Sequence, residues 1–377
     1  MPVTPILFCS HVVEMGGAEV VLTELLAELD RERFQPHLAV PGSGPLADRC
    51  AALGVPVHRI QIGGANAWQK AASVPGAARA LRRVAAATGC QILVANSMIA
   101  GYAAVLAQHR ALRCVWHLHS VPQAFVARFA IRRAAHVIAP SRAGLLGVGR
   151  AFAASERATT IHNGVHERFF STTGRGLRQR LGVPIETPLI GMIGRLDPRK
   201  GHDVLVQAHA RWAGPRAPHL VLVGGELFAG SLAHIAGFAE QLRQRIAQLG
   251  TGARVHWLGE VADTAPLLAE LDVVAVPSIA LESAPRTIAE AQAAGCAVVA
   301  SAIGGTPELI THEVSGLLVP PGDVDALGRA LARALDDTAL RERMRAGGLA
   351  VARANYRMAT FARRCEQVLE RVLAGRN

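Results

Sequence analysis

Short apolar runs alternate with alanine-rich helical stretches along the chain, and this alternation restricts the fold more than any other feature. The runs ILFCS (6–10), QILVANS (91–97), PLIGMIGR (188–195) and LDVVAVPS (271–278) are apolar through their middles rather than at every second position. Strands of that kind are covered on both faces, and helical crossovers between them make neighbouring strands parallel. The expectation is an α/β protein. At 377 residues the chain is long enough for two such domains. Half of its residues are apolar but only 4% are aromatic, so its cores have to be built from Ala, Val and Leu.

One stretch carries the chemistry. Residues 280–300 place Glu282 and Glu290 eight positions apart, between the strand LDVVAVPS and a strand CAVVAS. Ser283 reads as a helix cap and Pro285 as a first-turn residue, with Ile288, Ala291 and Ala294 on an apolar helical face and Gly295 at its end. Glu282 then lies on the loop entering the helix and Glu290 within it. The unpaired N–H groups of the first turn make an anion site between the two carboxylates. Carboxylates suit sugar hydroxyls and a helix end suits phosphate, so the ligand implied is a sugar nucleotide. Gly304-Gly305-Thr306-Pro307-Glu308 follows.

These residues resemble the retaining glycosyltransferases of the GT-B fold, family 4 (group 1), whose signature is two Glu eight apart followed by a small-residue run and GG-x-PE. The resemblance covers nearly the whole chain. It implies two Rossmann-like domains facing across a cleft, with a C-terminal helix crossing back to the first. The boundaries expected are an acceptor-binding domain at 1–170, a linker at 171–187, a nucleotide-sugar-binding domain at 188–355 and the returning helix at 356–377.

Further motifs fit. Arg195 and Lys200 in GRLDPRKG flank a turn before a helix and suit a diphosphate held from two sides. Lys200 is one of only two lysines in the chain, and the spacing is similar to the family's phosphate-binding pair. Gly16 and Gly17 lie where a strand turns into a helix, either as a plain tight turn or as a loop approaching the ligand. The full dinucleotide-binding spacing is missing. The resemblance implies the ligand role. His117 and His119 alternate on one strand, where a core pair and a metal pair are both open readings; no third ligand has supporting spacing. By resemblance His119 touches the donor sugar.

Two departures from the family pattern are visible. Ser120 stands where Asp or Gly is usual, and His166 replaces the Asp of Asn-Gly-Val-Asp. The Asn163-Gly164 pair predicts a sharp turn with positive φ. Base-pocket contacts are expected after Gly224-Gly225-Glu226 and near Val261. Asp323-Val324-Asp325 looks like a metal motif, but it opens a helix and reads better as a cap.

The resemblance implies a donor site of Gly16, Gly17, Arg195, Lys200, Glu282, Ser283, Ala284, Pro285, Arg286 and Glu290. Glu282, His119, Arg195 and Lys200 act in catalysis, and no metal or other cofactor is required. Alternatives on the same fold are a sugar-nucleotide 2-epimerase and a catalytically silent nucleotide-sugar-binding protein.

The six cysteines are scattered without disulfide or metal spacing, which points to the reducing cytoplasm. No signal peptide is recognisable at the start. The uncharged run 84–109 is broken by polar residues and glycine into a strand and a helix, which excludes a membrane span. Residues 1–187 hold 20 basic and 10 acidic side chains, against 20 and 19 in 188–377, so nearly all of the net charge of +11 sits in the first half. No Asp or Glu occurs between Asp48 and Glu156, a span with 13 basic residues that include Arg79, Arg82, Arg83, Arg128, Arg132 and Arg133. An arginine-rich composition accounts for Arg in place of Lys but not for acids missing from one half. A face meeting an anionic membrane accounts for both, with a glycan or lipid-linked acceptor presented at the inner leaflet. Nucleic acid is excluded as a partner, because interleaved aromatics and any nucleic-acid motif are missing.

Overall fold

The computed structural model describes residues 3–214, 217–226 and 237–375. The chain forms two compact units, one of residues 1–164 with 358–377 and one of residues 165–357.

In the first unit β1 (Thr4–Cys9), α1 (Gly17–Glu28), β2 (Phe34–Val40), α2 (Pro45–Ala52), β3 (Val57–Arg59), α3 (Ala67–Thr88) and β4 (Ile92–Ala95) follow one another. They continue into α4 (Met98–Ala107), β5 (Arg113–His117), α5 (Phe125–Ile131), β6 (His136–Ala139), α6 (Arg142–Val148), α7 (Arg150–Ala153) and β7 (Ala158–Thr160). The seven strands form a parallel sheet in the order β3-β2-β1-β4-β5-β6-β7, with Ile6 of β1 opposite Ile92 of β4. Each strand interior is apolar because helices cover both sheet faces. Small alanines of α3, α4 and α5 pack on one face, and α1 and α2 cover the other.

The second unit opens with α8 (Leu177–Leu181), β8 (Leu189–Ile193), α9 (His202–His209), β9 (His219–Val223), α10 (Phe238–Gln248), β10 (Val255–Gly259) and α11 (Ala265–Leu268). It closes with β11 (Val273–Val276), α12 (Arg286–Ala293), β12 (Ala297–Ser301), α13 (Thr306–Leu309), β13 (Leu317–Val319), α14 (Val324–Asp336) and α15 (Thr338–Asn355). Among the described residues its strands form a six-stranded parallel sheet, β10-β9-β8-β11-β12-β13.

The last helix, α16 (Met358–Ala374), belongs to the first unit. Phe361, Cys365, Val368 and Leu369 are buried in the same core as α1 and β2. Each large apolar side chain so buried stabilises the unit by about 1.5–3 kcal/mol. Glu366, itself buried, accepts the Asp30 N–H at 2.9 Å and pairs with Arg33 at 3.5 Å.

Three sequence expectations need correction here. Residues 171–187 lie within the second unit, which begins at Val165 rather than at 188. The stretch looks aperiodic because its contacts come from elsewhere. Glu270 accepts the N–H groups of Arg175 and Leu177 at 2.7 and 2.8 Å, and Arg178 pairs with Asp272 at 2.7 Å. The first unit correspondingly ends at Gly164, not at 170. Gly164 is not among the positive-φ residues; a Cβ there would stand 2.6 Å from the Met358 sulfur and 3.0 Å from Phe361 Cβ. Glycine is therefore needed for the approach of α16 and not for the turn. His166, in place of the family's Asp, caps a single 3-10 turn by accepting the Arg168 N–H on Nδ1 at 3.1 Å.

Candidate functional site

In a doubly wound sheet, ligands bind beyond the carboxyl ends of two adjacent strands whose connections run to opposite sides. In the second unit those strands are β8 and β11, since β8 leads through α9 to β9 and β11 leads through α12 to β12. Arg195 and Lys200 follow β8, while Glu282 and the N-terminus of α12 follow β11. The fold thus brings together the charged residues singled out in sequence.

Asp197, which the sequence reading passed over, organises this end. Its carboxylate is 1% exposed and accepts from Arg195 at 2.9 Å, from the Arg199 guanidinium at 2.6 and 3.0 Å, and from the Arg199 N–H at 3.0 Å. Burial by itself raises an acid's pKa. The bonds from Arg199 and the charge of Arg195 outweigh that and hold Asp197 well below the usual carboxylate range. Arg195 is therefore fixed in orientation by a buried anion.

Lys200 Nζ donates to Glu282 Oε1 at 2.6 Å, and the Ser278 hydroxyl donates to the same oxygen at 3.1 Å. Gly305 N–H donates to the Glu282 carbonyl at 2.9 Å, and a Cβ on Gly304 (φ +60°) would fall 2.0 Å from that oxygen. The GG-x-PE segment accordingly clasps the backbone of Glu282.

Helix α12 begins at Arg286, two residues later than a cap at Ser283 implies. Pro285 occupies the cap position without a side-chain bond. Ser283 is buried and Ala284 packs against the core, and the helix's own residues begin at Arg286. Thr287 donates to the Ile193 carbonyl at 3.0 Å and ties the helix to the end of β8. Arg286 Nε meets Glu290 Oε1 at 2.8 Å, with both side chains 13% exposed. The second carboxylate oxygen of Glu290 keeps its acceptor capacity.

In the first unit the equivalent strand pair is β1 and β4. His11 bonds Ser97 Oγ through Nδ1 at 2.8 Å, and His119 Nε2 meets Asn96 Oδ1 at 2.9 Å. Asn96 in turn donates to the Ala18 carbonyl at 3.2 Å, beside the loop of Gly16 and Gly17. Gly17 opens α1 and is exposed, and Gly16 precedes it in extended conformation. His117 is buried at the end of β5, and His119 lies just beyond it with the rings 4.3 Å apart. Burial lowers the His117 pKa to about 4; burial and the neighbouring His117 push His119 well below its ordinary value. Both imidazoles are neutral near pH 7. Among the described residues no group of three or more His, Cys, Asp or Glu is arranged to hold a metal. Asp323 caps α14 by accepting the Ala326 N–H at 2.9 Å, and Asp325 pairs with Arg211.

His11, Asn96, Ser97, Asp197 and Ser278 are polar residues the sequence reading did not assign. Their signal was position alone, each falling at or just past the end of a predicted strand. In the expected base-pocket loop, Glu226 accepts the Ala239 N–H at 2.7 Å, and residues 227–236 lie outside the described residues.

A family profile described as glycosyl transferases group 1 matches residues 175–350, and one described as Glycosyltransferase Family 4 matches residues 15–169. Together they account for most of the chain. It belongs to the family 4 (group 1) glycosyltransferases. Among relatives of this glycosyltransferase, the D-inositol 3-phosphate glycosyltransferase of Xylanimonas cellulosilytica is 38% identical over 192 residues, 48% of this chain and 42% of that protein. The enzyme of the same name from Mycolicibacterium paratuberculosis is 36% identical over 180 residues, 47% of this chain and 38% of that protein. The chain thus spans less than half the length of these curated relatives. Anabaena HepE, solved with UDP-glucose, superposes with a TM-score of 0.83 at 27% identity, covering 98% of this chain and 99% of that one. A Rickettsia africae glycosyltransferase with a TM-score of 0.85 at 20% identity shares the GT-B fold.

Proposed function

We propose that this glycosyltransferase moves a sugar from a nucleotide-diphosphate sugar to a glycan or lipid-linked acceptor in cell-envelope synthesis, with retention at the anomeric carbon and without a metal. The observation that carries the reading is the pairing of Arg195 with Asp197 and of Lys200 with Glu282, beside the N-terminus of α12. These are charge stabilisers placed where a diphosphate would leave. HepE, solved with UDP and with UDP-glucose, makes uridine diphosphate sugars the first donors to test.

In this mechanism Lys200, with three donors, keeps one on Glu282 and turns the others to the terminal phosphate. Arg195, braced by Asp197, meets the same group, and the helix end adds its partial positive charge. Glu290 uses its second oxygen on the ribose hydroxyls, while Glu282 and His119 orient the sugar. The bond from the anomeric carbon to the diphosphate oxygen breaks as the acceptor oxygen bonds to that carbon. The acceptor proton passes to the departing phosphate oxygen on the same face, so no protein nucleophile is needed. The enzyme works at the cytoplasmic face of an anionic membrane, where such an acceptor is exposed.

A thermal-shift panel of UDP, GDP and ADP with their sugars identifies the base, because ligand binding raises the melting temperature by mass action. Turnover with the selected donor is then followed in EDTA, and the product's anomeric configuration is read by NMR. Loss of turnover in EDTA with rescue by Mg²⁺ or Mn²⁺ overturns metal independence. An inverted product overturns retention. Isomerised sugar from donor alone replaces transfer by epimerisation.

A further inference from the structure

Eleven large apolar side chains are exposed among the described residues, and six of them (Trp68, Leu106, Phe125, Val126, Phe129 and Leu146) stand on α3, α4, α5 and α6. These helices cover one face of the first unit's sheet. The concentration is greatest on α5, where Phe125 is 80% exposed, Val126 70% and Phe129 58%. Ala127 and Ile131 of the same helix are buried, so α5 is fully seated and still turns two phenylalanines, one turn apart, to solvent. Singly exposed apolar residues are ordinary on a protein surface, whereas a clustered patch marks an interaction site.

The charge around the patch selects the occupant. Arg128 and Arg133 are exposed on or beside α5, and the Arg133 guanidinium lies 5.9 Å from the Phe129 ring centre. Arg79 and Arg83 are exposed on α3. Two other arginines of this face have partners: Arg82 donates to the carbonyls of Ala107 and Leu106, and Arg132 to that of Val148, though both keep their charge. No carboxylate occurs anywhere in residues 49–155, which include all of α3 to α7. A second copy of this face would set arginine against arginine. An anionic bilayer accepts both features, phenylalanines at the headgroup–acyl boundary and arginines among the phosphates.

We infer that α5 is a membrane-inserting wedge, with Phe125, Val126 and Phe129 entering the interface of an anionic bilayer and Arg128 and Arg133 binding its headgroups. The inference rests on the peripheral-membrane reading above and deepens it from surface attraction to insertion. Parallel strands deliver the chain into α3 and α5 at their carboxyl ends. Trp68 and Phe125, in the first turns of those helices, thus lie at the same sheet end as His11, Asn96 and Ser97. Insertion there sets the crevice of the first unit toward the lipid surface from which a lipid-linked acceptor would come.

Co-sedimentation of the full chain with vesicles of phosphatidylcholine, with and without phosphatidylglycerol, tests this at low and high salt. Wild type is expected to bind the anionic vesicles and to retain a salt-resistant fraction. Phe125→Ser with Phe129→Ser should lose that fraction, weakening binding by about tenfold for each ring removed. Arg128→Gln with Arg133→Gln should lose the salt-sensitive part, by about fivefold for each arginine. Unchanged melting temperatures for both doubles show that the fold is intact. If the phenylalanine double binds anionic vesicles as wild type does, attachment is electrostatic alone and insertion is overturned, while the peripheral reading stands. If wild type binds neither vesicle, both fall.

Discussion

Lys200 and Glu282 are 82 positions apart in sequence and 2.6 Å apart in space. Their side chains are 27% and 20% exposed, which leaves the pair accessible to a ligand and partly screened by water. An ion pair of that kind adds little stability, so the role proposed for it in donor binding does not compete with a large structural one.

Lys200→Ala and Arg195→Ala should each lower turnover by on the order of 100-fold, the usual consequence of removing one preorganised charge stabiliser. The melting temperature should stay within a few degrees of wild type, because neither side chain is buried. Steady-state kinetics beside thermal melts check both halves. Near-wild-type turnover in both variants would remove the pair from the mechanism.

Asp197→Asn should cost stability as well as rate, because two guanidinium groups lose a buried counter-charge, a loss on the order of 3 kcal/mol. Its pKa is depressed in the fold, so its contribution is complete above the usual aspartate value and disappears as pH falls toward the folded value. Wild type should therefore lose this contribution below about pH 4, and the variant should lack that part of the acid slope. Denaturant melts across the acid range measure it.

Gly304→Ala puts a methyl group 2.0 Å from the Glu282 carbonyl oxygen at a φ of +60°. The segment has to shift, and Glu282 shifts with it. Turnover should fall by at least about tenfold, since small misplacements of positioning groups are costly. Donor affinity measured by calorimetry should fall with it. A variant with wild-type kcat and donor Kd would show that the clasp does not set the position of Glu282.

Four buried histidines, His117, His136, His202 and His209, have their pKa lowered to about 4, chiefly by burial. Unfolding frees each to take a proton below its ordinary value near 6.5. Stability is then full above that pH and declines as pH falls toward 4, by up to about 1.4 kcal/mol per pH unit for each histidine. His209→Gln should flatten this decline by one histidine's share. Urea melts between about pH 7 and about pH 5 test it, and an identical slope in the variant would refute it.

The alternation of apolar runs and helical stretches was enough to place strands: Ile92–Ala95, Leu189–Ile193 and Val273–Val276 each lie inside a run read as a strand. Short β13 was missed, because Leu317–Val319 gives only three residues of signal. At the candidate site, Glu282, Glu290, Arg195 and Lys200 were legible because their spacing is local to one strand–helix junction each. Asp197 and Ser278 were not: their partners are only two and four positions away, but nothing in the local sequence marks which polar side chain the fold buries against them. Asn96 was not either, since its partners His119 and Ala18 lie 23 and 78 positions away. Residues 171–187 misled for the same reason: their order is imposed by Glu270 and Asp272, roughly ninety residues downstream.

The chain leaves the first unit at Gly164 and re-enters it at Met358, and Val165 N–H donates to the Tyr356 carbonyl at 2.6 Å to close the second unit at its neck. On a ribosome this imposes an order of events. The second unit has all of its residues as soon as Arg357 has been made. The first, although begun earlier, still lacks Phe361, Cys365, Val368 and Leu369 of its core and must wait with the α1 and β2 side uncovered. Synthesis therefore finishes the later unit first, and a nascent chain stalled before α16 would expose apolar surface in its N-terminal half.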